Sequence, residues 1–301
     1  MHLHSRALKY FDMIRRCGSI REAARRLHVS SSAVNRQLLL LEDEIGSPLF
    51  ERLPGGLKLT PVGEILSRHV ITVLQDAQRM SGELDGLKGI RRGAVDVVAV
   101  EALASAFLPV VLETMITRYP AVKLSVRIAG SAAAALAVAD GDADVALGFV
   151  LQRSESLRQL AVGRFALGAI VAPGHPLAAS TQVSFAECAR FPLVLPSAEL
   201  SIHWEIKSLV TGRKQKTVVL ETGSFELMKE LAARGVGIAF VNRFGIEREL
   251  KQGLLSHIRL KGQSPSNLGV YVRAGRSLPP ALDAFTRIAA EEIERRAGEE
   301  T

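Results

Sequence analysis

Three helix-forming stretches lie within the first 45 residues, and the third is polar at its tip and apolar along its body; no other feature limits the possible folds as much. Apolar residues recur at helical spacing in each: Leu8, Phe11 and Ile14, then Ile20, Ala23, Ala24 and Leu27, then Val34, Leu38, Leu41 and Ile45. Gly18 closes the first helix, and Ser19 with Glu22 three residues on has the form of a capping box. Only His28-Val29-Ser30 separates the second helix from the third. Two helices joined so tightly form a helix-turn-helix unit, whose second helix enters the major groove of DNA with its N-terminal residues at the base edges.

The stretch HVSSSAVNRQLLLLEDEIGSPLF, residues 28 to 50, suits that role. Ser31, Ser32, Asn35 and Arg36 fall three and four apart on one face, while Val34, Leu38 and Leu41 point to the core. Serines are short enough to admit the backbone of a partner, asparagine can bridge adenine N6 and N7, and arginine can fork onto guanine O6 and N7. Arg15, Arg16, Arg21, Arg25, Arg26 and Arg36 lie in the same region against the single acid Glu22, which favours phosphate contact. The whole chain carries a net charge of +7, which also favours an acidic partner. After Gly46-Ser47-Pro48, the segment 49–60 reads as two short strands around Pro54-Gly55-Gly56, a wing.

Thr60-Pro61 offers an N-cap and a first-turn proline for a new helix running to about Leu87. Along it Leu66, Val73, Met80 and Leu87 are seven apart and Val70, Ala77 and Leu84 interleave, so the expected use is a helix-helix seam between two chains. Lys88 to Gly93 reads as a hinge. Beyond it strands and helices alternate: 95–100, helix 103–117, 122–128, helix 131–139, 144–149, 165–172, 191–196, 217–221, helix 224–234, 237–241, 268–272, and a last helix from Pro280. That alternation predicts a mostly parallel sheet, and some two hundred residues of it predict two α/β lobes with a crevice between them.

Several other chemistries lack support in the sequence. Cys17 and Cys188 are far apart and in no ligand spacing, so neither a disulfide framework nor a zinc site is expected. Asp140, Asp142 and Asp144 resemble the start of a calcium loop, but Val145 stands where glycine is required and Leu151 where the terminal glutamate is. His2 and His4 have no further ligands near them, and no metal or other cofactor is expected. Neither GxSxG nor GxxxxGK occurs, so no enzyme is expected. No signal peptide pattern or long apolar run is present, and a cytoplasmic protein with no membrane association is the expectation.

The segments GSIREAARRLHVSSSAVNRQLLLLEDEIGSPLFER (18–52) and LKLTPVG (57–63) resemble the N-terminal region of the LysR-type transcriptional regulators. The likeness continues through LPVVLETMITRYPAVKLSV, GDADVALG, GHPLA and LAARGVGIAFV. It implies an α/β protein with an N-terminal all-α winged helix-turn-helix domain and a two-lobed effector domain like type 2 periplasmic binding proteins. The corresponding domains would be 1–60, a linker and dimerisation helix 61–88, and 89–301, with one lobe at about 91–162 and 267–301 and the other at about 163–266. DNA contact is implied for Ser31, Ser32, Asn35, Arg36 and, at the wing, Arg52; Asn35 stands where the family usually has serine, so base preference there is this chain's own.

The resemblance also implies a small-molecule effector between the lobes, near the turns at Ala102, Ser131, Phe149 and Ser197. The first turn, often a source of a hydroxyl in that family, offers Ala102 and Leu103 with Ser105 a step further; Thr222 belongs to a fourth turn. From these, a small and partly apolar effector is expected, with any anionic part meeting Ser131 or Ser197. The expected partners are double-stranded promoter DNA, that effector, RNA polymerase, and further copies of the chain as a dimer or tetramer. The competing expectation is a small-molecule-binding protein whose N-terminal helices serve assembly alone.

Overall fold

A computed structural model describes residues 6–87, 93–149, 155–210 and 217–299, so most of the expected hinge at 88–93 lies outside the described residues. The chain divides into two compact units.

The first unit begins with α1 (Arg6–Cys17), α2 (Ile20–Leu27) and α3 (Ser31–Ile45). Phe11, Ile14, Ala23, Ala24, Val34, Leu38 and Leu41 interlock in one core with Leu49 and Phe50. Ser19 accepts from the Glu22 N–H, but the Glu22 carboxylate turns to Arg25 and Arg26, so only half of the expected capping box forms. Ser30 caps α3 through the Ala33 N–H, and Gly46, at φ 74°, ends it in the left-handed conformation. Ile45, expected in the core, is 42% exposed, because the helix has by then run past it.

The wing is an antiparallel hairpin of β1 (Phe50–Leu53) and β2 (Gly56–Leu59). It is pinned at both ends: Leu57 N donates to Gly18 O at 2.8 Å, and the Glu42 carboxylate accepts the Leu49 N–H at 2.7 Å. Thr60 caps α4 (Pro61–Leu87) through the Gly63 N–H and donates to Pro48 O, as its sequence position predicts. Gly63 lets α4 lie against the wing root, since a Cβ there would stand 2.1 Å from Leu49 O.

The second unit holds two lobes. One is a five-stranded sheet in the order β4-β3-β5-β13-β6, from β3 (Gly93–Ala99), β4 (Val122–Ile128), β5 (Val145–Phe149), β6 (Leu157–Phe165) and β13 (Ser266–Arg273). Here the expected mostly parallel sheet is corrected to a mixed one. β3 runs parallel to β4 and β5, but β13 is antiparallel to both β5 and β6, because the chain leaves this lobe along β6 and returns along β13. β6 was not foreseen, and α5 (Phe107–Arg118) begins later than expected, after a short 3-10 turn at Glu101–Leu103. One face is covered by α6 (Ser131–Ala139), whose Ala134 and Val138 meet Val98, Ala146 and Tyr271. Gly93 and Gly163 admit α11 (Pro280–Gly298): a Cβ would lie 2.8 Å from Ala281 Cβ and 2.6 Å from Ile293 Cγ2 respectively.

The other lobe has the order β11-β7-β12-β8, from β7 (Leu167–Val171), β8 (Gln182–Val183), β11 (Ala239–Asn242) and β12 (Ser256–Leu260), beside a parallel pair, β9 (Leu193–Pro196) and β10 (Val218–Thr222). Strand alternation divides its core in two. Leu167, Ala169 and Val171 face Cys188, Ile206 and Phe240, whereas Ile170 faces Met228, Ala232 and Val241. The helices are α7 (Phe185–Cys188), α8 (Ile202–Val210), α9 (Phe225–Ala233) and α10 (Glu247–Lys251). At the crossing Phe149, Phe165 and Phe244 pack edge to face, with the last two rings 4.4 Å apart.

Candidate DNA-binding face and effector cavity

The recognition helix is set by what lies behind it. Val34, Leu38 and Leu41 are buried, and that fixes the rotation of α3. Ser31, Ser32 and Arg36 are consequently exposed and Asn35 half-buried, in one row at the helix N-terminus. Ser32 Oγ lies 3.0 Å from the capping hydroxyl of Ser30. Arg52 is exposed on β1, opposite Leu57.

The arginines do not form the uniform field their spacing suggested. Arg15 and Arg16 both bond Asp12, at 2.9 and 2.8 Å, and Asp12 is itself buried. Arg25 and Arg26 share Glu22, whose carboxyl is held down at about 2, by Arg25 first and Arg26 next. Arg21 and Arg36 face solvent with no intramolecular acid among the described residues. Asp12, four residues or fewer from its partners, was the legible sign that Arg15 and Arg16 share an acid.

Of the expected seam, Leu66 and Val70 are corrected: both pack into the core of their own domain, Val70 with no exposed surface. Heptad spacing fits this intramolecular groove as well as it fits a second chain. Val73, Ala77 and Met80 are half-buried, Leu84 is 40% exposed, and the side chain of Leu87 is outside the described residues.

Between the two lobes lies a cavity of about 180 Å3, more than ten times the ~10–15 Å3 that one water requires. Three of the expected residues line it, namely Ala102, Ser131 and Phe149. The other four do not. Leu103 is wholly buried, Ser105 Oγ reaches Gly245 O at 3.5 Å, Ser197 donates to Glu199 at 3.2 Å, and Thr222 accepts the Ser224 N–H. Ser131 donates to Phe149 O at 3.1 Å, so its hydroxyl hydrogen is already engaged. Ser197 thus lies off the wall where an anionic group was expected to meet it, and Ser131 lies on it.

Residues missed by sequence reasoning define the polar part of the wall: Glu101, Glu199, Glu205, Asn242 and Ser266. Glu101, in the turn after β3, accepts from Ser224 Oγ at 3.2 Å and Phe225 N at 2.7 Å, and thus caps α9 from the opposite lobe. Glu205 accepts from Ser266 Oγ at 2.8 Å, and burial pushes its carboxyl above the ordinary glutamate value. The lobes approach so closely that glycine is needed: a Cβ on Gly130 would lie 2.5 Å from Glu199 O, and one on Gly245 2.6 Å from Ala102 O. Arg296 of α11 adds a further tie, pairing with Glu247 of α10. The Cys188 thiol is buried, and that burial pushes it up to about 12.

A helix-turn-helix with a wing, and a separate two-lobed domain closed over a cavity, define a DNA-binding regulator with an effector-binding domain. The family description "Bacterial regulatory helix-turn-helix protein, lysR family" matches residues 5–64, and "LysR substrate binding domain" matches residues 88–294. The chain belongs to the LysR family of transcriptional regulators. It is 28% identical over 298 residues to the RuBisCO operon transcriptional regulator of Allochromatium vinosum, covering 98% of each chain. Among solved structures, a variant of full-length OxyR from Pseudomonas aeruginosa shares the fold with a TM-score of 0.76 at 19% identity, over 97% of this chain and 96% of that one. Full-length CbnR complexed with its target DNA shares it with a TM-score of 0.55 at 19% identity, over 95% and 99%.

Proposed function

We propose that this regulator reads its operator through Ser31, Ser32, Asn35 and Arg36, with Arg52 of the wing on the phosphate backbone. The observation that carries this is the exposed row at the N-terminus of α3, backed by a buried Val34, Leu38 and Leu41 that leave it no other orientation. Two chains joined along α4 place two such rows on one face of the duplex, and pairing of dimers makes a tetramer. The effector sits in the interlobe cavity; its binding changes how the dimers pair, how the DNA bends and how RNA polymerase is met. The protein acts on cytoplasmic DNA, performs no catalysis and needs no resident cofactor.

The test is genome-wide mapping of bound DNA for the intact protein beside a variant carrying Asn35→Ala and Arg36→Ala. Discrete peaks sharing a dyad motif, lost in the variant, support the assignment. Diffuse binding equal in both would overturn it. The operon named for the relative from Allochromatium vinosum supplies the first promoter to inspect in that map.

A further inference from the structure

The wall of the interlobe cavity is acidic. Glu101, Glu199 and Glu205 line it, and no lysine, arginine or histidine does among the described residues. One helix N-terminus on the wall, that of α9, is already filled by the Glu101 carboxylate, while that of α6 at Ser131 also borders the cavity. An anionic ligand entering this space would meet carboxylates with no cation on the wall to offset them, least screened at the half-buried Glu101 and Glu205.

Side-chain acceptors outnumber donors on the wall, with three carboxylates and Asn242 beside the hydroxyls of Ser131, Ser201 and Ser266. Both oxygens of Glu205 lean on one hydroxyl, that of Ser266, at 3.0 and 2.8 Å, although a carboxylate has room for about four donors. Asn242, 5% exposed, also lines the cavity, and its Oδ1 has no hydrogen-bond partner. An unpaired buried amide is costly unless a ligand completes it. Most of the rest of the wall is apolar, including Val100, Ile128, Leu200, Phe225 and Val241.

We infer that the effector is a small organic cation, an amine or amidine on an apolar body, whose N–H groups donate to Glu205 and Asn242. This rests on the cavity being the effector site. The apolar body lies against Ile128, Leu200 and Phe225, and the three carboxylates exclude carboxylate and phosphate compounds of the same size.

The experiment uses the full-length protein and three probes with one frame, benzylamine, benzyl alcohol and benzoate, followed by thermal shift and ligand-observed NMR at neutral pH. Each is repeated on Glu205→Gln and on Ser201→Trp, which fills the cavity. Benzylamine should raise the melting temperature of the native protein, weaken about tenfold on Glu205→Gln, and lose its effect on Ser201→Trp, while benzoate has none. If Glu205→Gln folds poorly, Asn242→Leu supplies the same comparison. Benzoate or the alcohol binding as well as the amine, and lost on Ser201→Trp, would keep the cavity as the effector site and overturn the cationic class. Amine binding that survives in Ser201→Trp would overturn the cavity itself, and no response to any probe would overturn the proposal.

Discussion

The carboxylate of Glu101 accepts the backbone N–H of Phe225 at 2.7 Å, across 124 residues of sequence, so a side chain of one lobe completes the first turn of a helix in the other. Ser224 supplies the ordinary cap to the Leu227 N–H and also donates to Glu101. Replacing Glu101 by alanine leaves the Phe225 N–H unpaired and removes a negative charge from the positive end of the α9 dipole. The expected loss is ~1–2 kcal/mol of stability, in the range of other cap removals. Urea unfolding of Glu101→Ala would check it, with small-angle scattering to report whether the lobes separate. An unchanged midpoint and radius would show that water replaces the carboxylate without loss.

Arg36 and Arg15 should respond oppositely to truncation, although both belong to the same basic stretch. Arg36→Ala should cost ~1–3 kcal/mol of binding at one base position of the operator and leave folding intact. Arg15, paired with the buried Asp12, acts on stability: Arg15→Ala removes one of the two guanidinium partners of a buried carboxylate, leaving Arg16 alone, and should lower the melting temperature. Fluorescence anisotropy on operator variants and a thermal melt of each protein separate the two. Equal discrimination by Arg36→Ala at every base position would place that side chain on phosphate or solvent.

The N-terminal unit was legible because its determinants are local. Gly18, Ser19, Gly46 and the Thr60-Pro61 pair each fix a helix end within four residues, and the buried row of α3 follows from spacing alone. The effector half was legible only as alternating elements. β6 was missed because LRQLAVGRF carries charge and is half exposed, so period-two alternation is faint. The capping box of Ser184 and Glu187 is present in the sequence, but the helix it opens is four residues long and too short to show a helical period. Of the cavity wall, Ala102, Ser131 and Phe149 were legible, and its acidic and amide side chains were not. Glu101, Glu205, Asn242 and Ser266 come from four separate elements, and nothing local says that they meet.

The remaining seam residues, Val73, Ala77, Met80 and Leu84, follow 4-3 spacing after Leu66 and Val70 are assigned to the domain core. If a second chain packs there, Met80→Asp buries an unpaired charge and should weaken dimerisation by ~2 kcal/mol or more. Analytical ultracentrifugation would show a shift to monomer at concentrations where the native protein is dimeric. A native-like sedimentation profile for the variant would move the dimer contact to another surface.

His257 should make stability depend on pH below neutrality. Burial pushes its imidazole down to about 4, assisted by the nearby Arg243 and Arg259 and opposed by the hydrogen bond between Nε2 and Val241 O, 3.1 Å long. The ring fits only because residue 168 is glycine, where a Cβ would stand 2.4 Å from Nε2. With the folded value below the ordinary one near ~6.5, the unfolded chain binds the extra proton in the interval between them. Stability is therefore full above the unfolded value and lost as pH falls towards the folded one, by ~3 kcal/mol across the whole window. Glu205 acts in the opposite sense, since its raised carboxyl favours the folded state as pH drops. Comparing unfolding of the native protein with His257→Gln from pH 7 to 4.5 removes that contribution, because Glu205 is common to both. The native protein should lose stability relative to the variant as pH falls, and parallel curves would mean that the imidazole protonates in the folded protein as readily as in the unfolded chain.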